Sequence, residues 1–268
     1  MPYVRLDRSP VIPSESPVEI YYREWGAGPP LILLHGGWGY EIYNFDRQVN
    51  AFSDRFRMIA PDRTGYGRSN RLPELPSGFH NAAAEETFLT LDQLGIQQAI
   101  LWGHSDGAVI AAIMGLTRPE RVRGVILEAF HFERNKAGSK HFFEAMVAKP
   151  EEFGDRVSSV LAQDHGDGYW RTVLRAGGLA WLRIIDESSD PSKDFYGGHL
   201  WELAVPAIFI HGGQDPRTEP GELAAVRSTL PHCPVNVIQA ARHSPHSSES
   251  SFAECNVIAE EFLSRLKK

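Results

Sequence analysis

The sequence predicts an α/β fold: a mostly parallel central sheet flanked by helices, with a helical insertion. Short, nearly continuous apolar runs recur along the chain and alternate with longer stretches of helical periodicity. Such runs are typical of strands covered on both faces of a parallel sheet. The alternation stops at about residue 130 and resumes at about 200. We therefore predict a core from residues 1–129 and 201–268 and a helical cap, or lid, from residues 130–200.

The elements follow from the local patterns in chain order. "VEIYYREW" (18–25) alternates as a half-buried strand does, and five further apolar runs predict buried strands: "PLILLHG" (30–36), "FRMIAPD" (56–62), "AILWGHS" (99–105), "RGVILEA" (123–129) and "PAIFIHG" (206–212). Helical spacing predicts three helices: "AAAEETFLTLDQLGI" (82–96), "GAVIAAIMGL" (107–116) and "FAECNVIAEEFLSRL" (252–266). Alternation of this kind predicts right-handed crossovers between parallel strands.

The composition excludes several functional classes. The 268 residues are 42% hydrophobic, the net charge is -7, and no block of basic residues is present. This balance argues against nucleic acid or an anionic membrane as a partner. Two cysteines, Cys233 and Cys255, give neither a disulfide framework nor a zinc signature. Without a secretory signal or a long apolar run, the expected compartment is the cytoplasm. The oligomeric state is not predicted.

One short motif carries the chemistry. Gly103-His104-Ser105-Asp106-Gly107 follows a predicted strand and precedes a predicted helix, which is the context of a nucleophile elbow. In such a turn the central residue is strained, and the flanking glycines avoid collisions with the neighbouring strand and helix. We therefore predict that Ser105 is a nucleophile at the carboxyl edge of the sheet. The alternative is an ordinary glycine-rich turn in which Ser105 caps the helix.

A serine nucleophile needs a base, and the base needs an acid that orients it. Asp215 follows the strand "PAIFIHG", and in "VNVIQAARHSPHSSES" His243 lies in a loop after the next strand and before the last helix. We predict His243 as the base and Asp215 as the acid. The rival for the base is His246; Asp186 and Asp190 are less suitable acids because they lie in the predicted cap. His35 and His211 each end a strand and are expected to support loops.

The tetrahedral intermediate of acyl transfer needs donors for its oxyanion. The segment "LLHGGWGYE" (33–41) offers a glycine-rich loop after the first apolar strand. We expect one donor to be the backbone N–H of Gly37 or Trp38. The second should be the N–H of Asp106, the residue that follows the nucleophile.

Taken together, "HGGWG", "DRTGYGRS", "GHSDG", "GGQDP" and "RHSPH" resemble the α/β-hydrolase superfamily, in the family's order and over nearly the whole chain. Within it, the chain looks like small carboxylesterases of the valacyclovir-hydrolase-like group. The resemblance implies the α/β-hydrolase fold and a triad of Ser105, Asp215 and His243. It departs at Arg242, because the family usually has glycine before the histidine.

We therefore expect a carboxylesterase-type serine hydrolase that cleaves small-molecule esters without a metal or organic cofactor. Aspartate replaces serine at the elbow of epoxide hydrolases and haloalkane dehalogenases, so Ser105 disfavours both activities. The same triad also supports hydrolysis of amides, as in aminopeptidases, of thioesters or of carbon–carbon bonds, and cofactor-free perhydrolysis. A different class is a non-catalytic ligand receptor with this fold, which would bind its ligand with little or no turnover.

Two expectations concern substrate recognition. The carboxylate of Asp106 either faces the pocket, where it would favour substrates with an amino group, or is a solvated residue in the first turn of the helix. Aromatic residues of the cap, together with Trp38, are expected to line an apolar pocket. The residues that we single out for this lining are Trp38, Phe142, Tyr169, Trp170 and Trp181.

Overall fold

A computed structural model describes residues 2–188 and 193–266. These residues form an eight-stranded sheet in the order β1-β2-β4-β3-β5-β6-β7-β8. The pairs β1–β2 and β2–β4 are antiparallel, and all other neighbouring strands are parallel. The strands are β1 Tyr3–Leu6, β2 Val18–Trp25, β3 Pro30–Leu34, β4 Arg57–Pro61, β5 Ala99–His104, β6 Val122–Glu128, β7 Ala207–Gly212 and β8 Val235–Ile238. The predicted α/β fold class is confirmed.

Helices cover both faces of this sheet. They are α1 Asp46–Phe52, α2 Phe79–Gln93, α3 Asp106–Thr117, α4 Lys140–Ala148, α5 Asp155–His165, α6 Trp170–Glu187, α7 Glu222–Thr229 and α8 Phe252–Arg265. One apolar cluster joins the sheet to α2, α3 and α7, and it includes Phe88 and Val226. A second cluster on the other face joins the sheet to α1 and α8, and it includes Phe52 and Phe262. Both faces of the central strands are therefore buried, which is why β5 and β7 consist almost wholly of apolar residues.

The connection between β6 and β7 carries α4, α5 and α6, and its described residues add no strand to the sheet. Helices α4 and α6 pack at close range, since a Cβ atom on Gly178 would lie 2.8 Å from the backbone oxygen of Phe143. Phe143, Leu161 and Trp181 contribute to a third apolar cluster that these helices share. The division of the chain into core and cap stays a prediction.

Buried charges fix α5 to the sheet. Arg23 of β2 donates to Asp62 at 2.6 Å and to Glu41 at 2.8 Å, and it lies 3.6 Å from Asp164 at the end of α5. Asp164 also accepts hydrogen bonds from the backbone N–H groups of Tyr40 and Glu41, both at 3.1 Å. Burial raises the pKa of Asp62 and of Asp164, whereas the charge of Arg23 opposes the increase. One guanidinium therefore compensates two buried carboxylates from different parts of the chain.

Among the helices of the described ranges, none combines the length and the apolar character needed to cross a bilayer.

Candidate active site

Ser105 lies in a strained turn between β5 and α3. Its φ and ψ are 54° and -119°, so it is one of two non-glycine residues in the described chain with positive φ. The turn depends on its glycines: a Cβ atom on Gly103 would lie 2.1 Å from the backbone oxygen of Gly107. A Cβ atom on Gly107 would lie 2.0 Å from the backbone oxygen of Leu34. These contacts have the geometry of a nucleophile elbow.

Neighbouring strands hold this turn in place. The backbone N–H of Ser105 donates to the carbonyl of Glu128, at the end of β6, at 2.9 Å. The imidazole of His104 lies 2.9 Å from the backbone oxygen of His243, and burial lowers the pKa of His104 to about 3. A neutral His104 therefore donates from Nε2 and ties the loop of His243 to the elbow.

The structure brings Ser105, His243 and Asp215 into one chain of hydrogen bonds. Nε2 of His243 lies 3.0 Å from Oγ of Ser105. Nδ1 of the same ring lies 2.9 Å from Oδ2 and 3.0 Å from Oδ1 of Asp215. Burial alone would raise the pKa of Asp215, but the charge and hydrogen bond of His243 hold it well below its usual range. An ionised Asp215 accepts the proton of Nδ1, which leaves Nε2 free to accept the proton of Ser105.

A second imidazole reaches the same hydroxyl. Nε2 of His131 lies 3.3 Å from Oγ of Ser105, and its ring is stacked with that of His243 at 5.8 Å. Burial lowers the pKa of His131 well below its usual range, and the charge of Lys136 adds to the decrease. His131 is therefore neutral. The hydroxyl of Ser105 has one proton, which it donates to Nε2 of His243. Nε2 of His131 must then carry a proton of its own and donate it in a hydrogen bond to Oγ.

The other candidate acids and bases lie elsewhere. Nδ1 of His246 lies 2.8 Å from Oε1 of Glu128, and its Nε2 lies 2.9 Å from the backbone oxygen of Tyr43, so His246 fixes the loop rather than reaching Ser105. His35 and His211 are buried, and Nε2 of His35 accepts the backbone N–H of Arg63.

Neither alternative acid replaces Asp215. The exposed carboxylate of Asp186 lies 3.3 Å from Nζ of Lys140. Asp190 lies outside the described residues.

Ser105 faces a cavity of about 800 Å³ that both Gly37 and Trp38 line. A Cβ atom on Gly36 would lie 3.2 Å from Cβ of Ser105, so the glycine-rich loop after β3 runs directly against the elbow. Asp106 also lines the cavity and is the first residue of α3, so its backbone N–H has no acceptor within the helix. The structure thus brings all three predicted donors to the cavity of Ser105, and their role in binding an oxyanion remains a prediction.

The side chain of Asp106 is not solvated, so that alternative is wrong: the residue is 2% exposed. Its Oδ1 accepts hydrogen bonds from Nε2 of His80 at 3.1 Å and from Nε1 of Trp181 at 3.2 Å. Burial would raise the pKa of Asp106, but the hydrogen bond from His80 and the charge of Arg63 hold it below its usual range. The carboxylate is therefore ionised, and the groups around it compensate its charge.

The structure places three of the five predicted aromatic residues at the cavity, and their contact with a substrate stays a prediction. Trp38, Phe142 and Trp181 line the cavity, and the rings of Trp38 and Phe142 are stacked at 5.5 Å. Tyr169 and Trp170 do not line it, and these two predictions are wrong.

Both residues are used for packing instead. The hydroxyl of Tyr169 accepts the backbone N–H of Leu72 at 2.7 Å and lies 3.1 Å from the carbonyl of Gly65, so it fixes the start of α6 to the loop after β4. Trp170 is buried in the apolar cluster of the helical segment, with Leu161 and Leu174.

Sequence reasoning missed His131 and His80. The available signal for His131 was its place three residues beyond the end of β6, because the carboxyl ends of adjacent parallel strands meet at one edge of a sheet. His80 lies in the first turn of α2, and no local pattern connects it with Asp106.

Comparisons with known proteins agree with this fold. Residues 29–171 match the family model described as alpha/beta hydrolase fold. Over 138 residues the chain is 33% identical to haloalkane dehalogenase 2 of Mycobacterium tuberculosis, and the match covers 50% of this chain and 46% of that protein. The match therefore spans about half the length of the first curated relatives.

Two further matches are longer. The chain is 25% identical over 236 residues to a bifunctional esterase/perhydrolase of Acinetobacter calcoaceticus, covering 79% of this chain and 83% of that one. The structure of a thermophilic esterase from Thermogutta terrifontis superposes with a TM-score of 0.73 at 20% identity, covering 99% of both chains. At that identity the superposition shows a common fold only.

Proposed function

Because the chain belongs to the α/β-hydrolase fold family, we propose that it is a serine hydrolase that cleaves carboxylic esters of small molecules. In this proposal Ser105 forms an acyl-enzyme, His243 acts as general base and then as general acid, and Asp215 orients His243. The observation that carries the proposal is the pair of contacts on one ring: Nε2 of His243 lies 3.0 Å from Ser105, and Nδ1 lies 2.9 Å from Asp215.

The proposed reaction has two stages. Oγ of Ser105 attacks the ester carbonyl while Nε2 of His243 takes its proton, and the backbone N–H groups beside the cavity bind the oxyanion. His243 then protonates the departing alcohol. In the second stage a water molecule loses its proton to His243 and attacks the acyl-enzyme, which releases the acid and restores Ser105. Each oxyanion donor of this kind contributes about 2.7–4 kcal/mol of transition-state stabilisation.

The chemistry of the nucleophile favours acyl transfer over displacement at an alkyl carbon. A carboxylate that displaces a leaving group from an alkyl carbon forms an ester, which water can hydrolyse. The hydroxyl of Ser105 would form an ether, which has no electrophilic carbonyl for water to attack. The partial match to a haloalkane dehalogenase therefore supports the fold family and not that reaction.

A second candidate is perhydrolysis by the same acyl-enzyme, in which hydrogen peroxide replaces water as the attacking group and the product is a peracid. The match to a bifunctional esterase/perhydrolase, over 79% of this chain, is the observation that favours it. Peracid formation from acetate esters in hydrogen peroxide, compared between the wild type and Ser105→Ala, tests this activity.

The proposal is tested by intact mass after treatment with a fluorophosphonate probe. The expected result is a single adduct on the native protein that is absent from Ser105→Ala and from heat-denatured protein. A panel of esters and amides, assayed with the same two controls, then separates esterase from amidase activity. An unlabelled native protein that hydrolyses no ester would contradict the proposal and favour a ligand receptor.

A further inference from the structure

Part of the cavity is lined by arginine side chains that have no carboxylate partner. Arg156, Arg217 and Arg242 all line it, and the guanidinium of each makes no hydrogen bond or ion pair with another described residue. Eight other arginines of the described chain have a carboxylate partner, as Arg23 has in Asp62. Arg156 and Arg242 are exposed, whereas Arg217 is half-buried. A guanidinium that is withdrawn from water in this way normally has an anionic partner, because it keeps its charge at every physiological pH.

The two carboxylates that line the same cavity are already compensated. Glu41 lies 2.8 Å from Arg23, and Asp106 accepts hydrogen bonds from His80 and Trp181. The cavity therefore presents free positive charge to a ligand and little free negative charge. This arrangement does not suit a cationic substrate group.

The ring of Phe142 supports the guanidinium of Arg217. Its Cζ lies 3.5 Å from the centroid of the Phe142 ring, so the guanidinium lies over an aromatic face that itself lines the cavity. Stacking of this kind leaves the N–H groups at the edge of the guanidinium free to form a two-pronged contact with a carboxylate. Burial lowers the pKa of Arg217, and the charge of Arg242 adds to the decrease, whereas the Asp215 carboxylate opposes it.

Tyr43 adds a hydroxyl group beside the arginines that line the cavity. It lines the same cavity, and its hydroxyl makes no hydrogen bond within the described part of the chain. Burial raises the pKa of Tyr43 and the charge of Asp215 adds to the increase, whereas the charges of Arg217 and Arg242 oppose it. Arg217 and Arg242 also come from the loops of Asp215 and His243, so their charges lie near the reacting groups.

We infer that Arg217, with Arg242 and Tyr43, forms a subsite for a carboxylate, and that the enzyme prefers esters whose acyl or alcohol part carries one. The inference rests on the proposed function, because it names the substrate class of that site. A charged hydrogen bond at a partly desolvated site is worth about 1.5–3 kcal/mol, or about tenfold or more in binding.

Matched ester pairs test the subsite. One pair differs in the acyl part: the mono-para-nitrophenyl ester of glutaric acid and the same ester with its free acid methylated. The second differs in the alcohol part: para-acetoxybenzoate and its methyl ester. For each pair the ratio of kcat/KM, acid over methyl ester, is measured in the wild type and in variants. We expect at least one ratio to fall about tenfold in Arg217→Gln and less in Arg217→Lys, which keeps the charge.

Two other variants complete the series. Arg242→Gln, at an exposed residue, should lower the same ratio by about two- to threefold, as expected for a charge near solvent. Arg227→Gln is the matched control: Arg227 is an exposed arginine on α7 that does not line the cavity, and its ratio should equal that of the wild type.

The outcomes separate the two proposals. If the wild type hydrolyses the methyl esters through Ser105 and both ratios are the same in Arg217→Gln, the carboxylate subsite is wrong and the esterase proposal stands. If no ester is hydrolysed, the esterase proposal fails, and calorimetric titration with glutarate decides the subsite. Glutarate binding that weakens about tenfold in Arg217→Gln supports the subsite. Equal binding by the wild type and Arg217→Gln, or no binding by the wild type, overturns the subsite.

Discussion

Nε2 of His131 lies 3.3 Å from Oγ of Ser105, the hydroxyl that Nε2 of His243 reaches at 3.0 Å. The two imidazoles are not equivalent. His243 has an ionised carboxylate behind it, whereas burial and the charge of Lys136 keep His131 neutral. His243 can therefore store the proton of Ser105 as an imidazolium, and His131 can only donate a hydrogen bond to the oxygen.

This difference predicts how the His131 variants behave. We expect His131→Ala to lower kcat/KM for an activated ester by about tenfold, the value of one neutral hydrogen bond, because Ser105 loses a donor that orients it. His131→Gln, which keeps an N–H donor, should recover part of this loss. In the same assay His243→Ala should lose about a thousandfold or more. Equal losses in His131→Ala and His243→Ala would contradict the assignment of His243 as the base.

The second prediction concerns Asp215. In Asp215→Asn the amide can donate to Nδ1 of His243, which moves the ring proton to Nε2 and removes the acceptor for Ser105. We expect kcat to fall about 10⁴-fold while the variant stays folded under the conditions of the assay. Ester hydrolysis and chemical denaturation, measured on the same preparation, check it. A variant with near-normal kcat would show that Asp215 does not orient His243.

The third prediction concerns the buried pair of Glu128 and His246. Oε1 of Glu128 accepts from the N–H groups of His246, and Oε2 accepts from Nε1 of Trp102 at 2.9 Å. Both residues of the pair are fully buried, so Glu128→Ala leaves donors unpaired in the core. We expect it to lower the free energy of unfolding by about 3–5 kcal/mol. Thermal and urea unfolding of the purified variant measure this.

Glu128 also makes stability depend on pH. Burial would raise the pKa of Glu128, but the charge and hydrogen bonds of His246 hold it below its usual range. The pKa of such a carboxyl in the unfolded chain is about 4.3, and its value in the folded protein is lower. The carboxyl therefore stabilises the folded state at a pH above 4.3. This contribution is lost as the pH falls through the pKa of the folded state. The difference in unfolding free energy between the wild type and Glu128→Gln should therefore shrink on acidification below about pH 4. A difference in unfolding free energy that grows on acidification would contradict a lowered pKa for Glu128.

The fourth prediction concerns the attachment of α5. Arg23→Ala leaves the buried carboxylates of Asp62 and Asp164 without their shared cation, so we expect a loss of about 3–5 kcal/mol of unfolding free energy. Because Asp164 lies in the last turn of α5, amide hydrogen exchange should increase in α5 relative to β5. Arg171→Ala, which removes an exposed ion pair with Glu151, is the matched control and should change stability by less than about 1 kcal/mol. An equal change in amide hydrogen exchange in α5 and β5 of Arg23→Ala would contradict the role of Arg23 in attaching α5.

Much of the fold could be predicted from the sequence because strands buried on both faces consist of nearly continuous runs of apolar residues. The run "VEIYYREW" matches β2 residue for residue, and the other predicted strands agree to within one or two residues. Strand β1 was missed because its four residues, "YVRL", alternate between exposed and buried positions and include Arg5. So short a pattern is not distinguishable from a loop.

The grouping of Ser105, Asp215 and His243 was predictable because each follows a strand of one parallel sheet, and carboxyl ends of such strands share an edge. The contact of His131 was not, because it depends on the turn after β6, where Ala129 has a φ of 49°. Likewise, nothing in the local pattern indicates that Tyr169 turns its hydroxyl toward the backbone of Leu72 rather than toward the cavity.

The most direct test of the account is to trap its covalent intermediate. Wild-type protein is mixed with para-nitrophenyl acetate, quenched in acid within the first turnovers, digested and analysed by mass spectrometry. We predict one acetyl group on the peptide that contains Ser105, formed at the rate of the para-nitrophenol burst and absent from Ser105→Ala. Ester hydrolysis that continues in Ser105→Ala, or an acetyl group that accumulates on another residue, would contradict the assignment of Ser105 as the nucleophile.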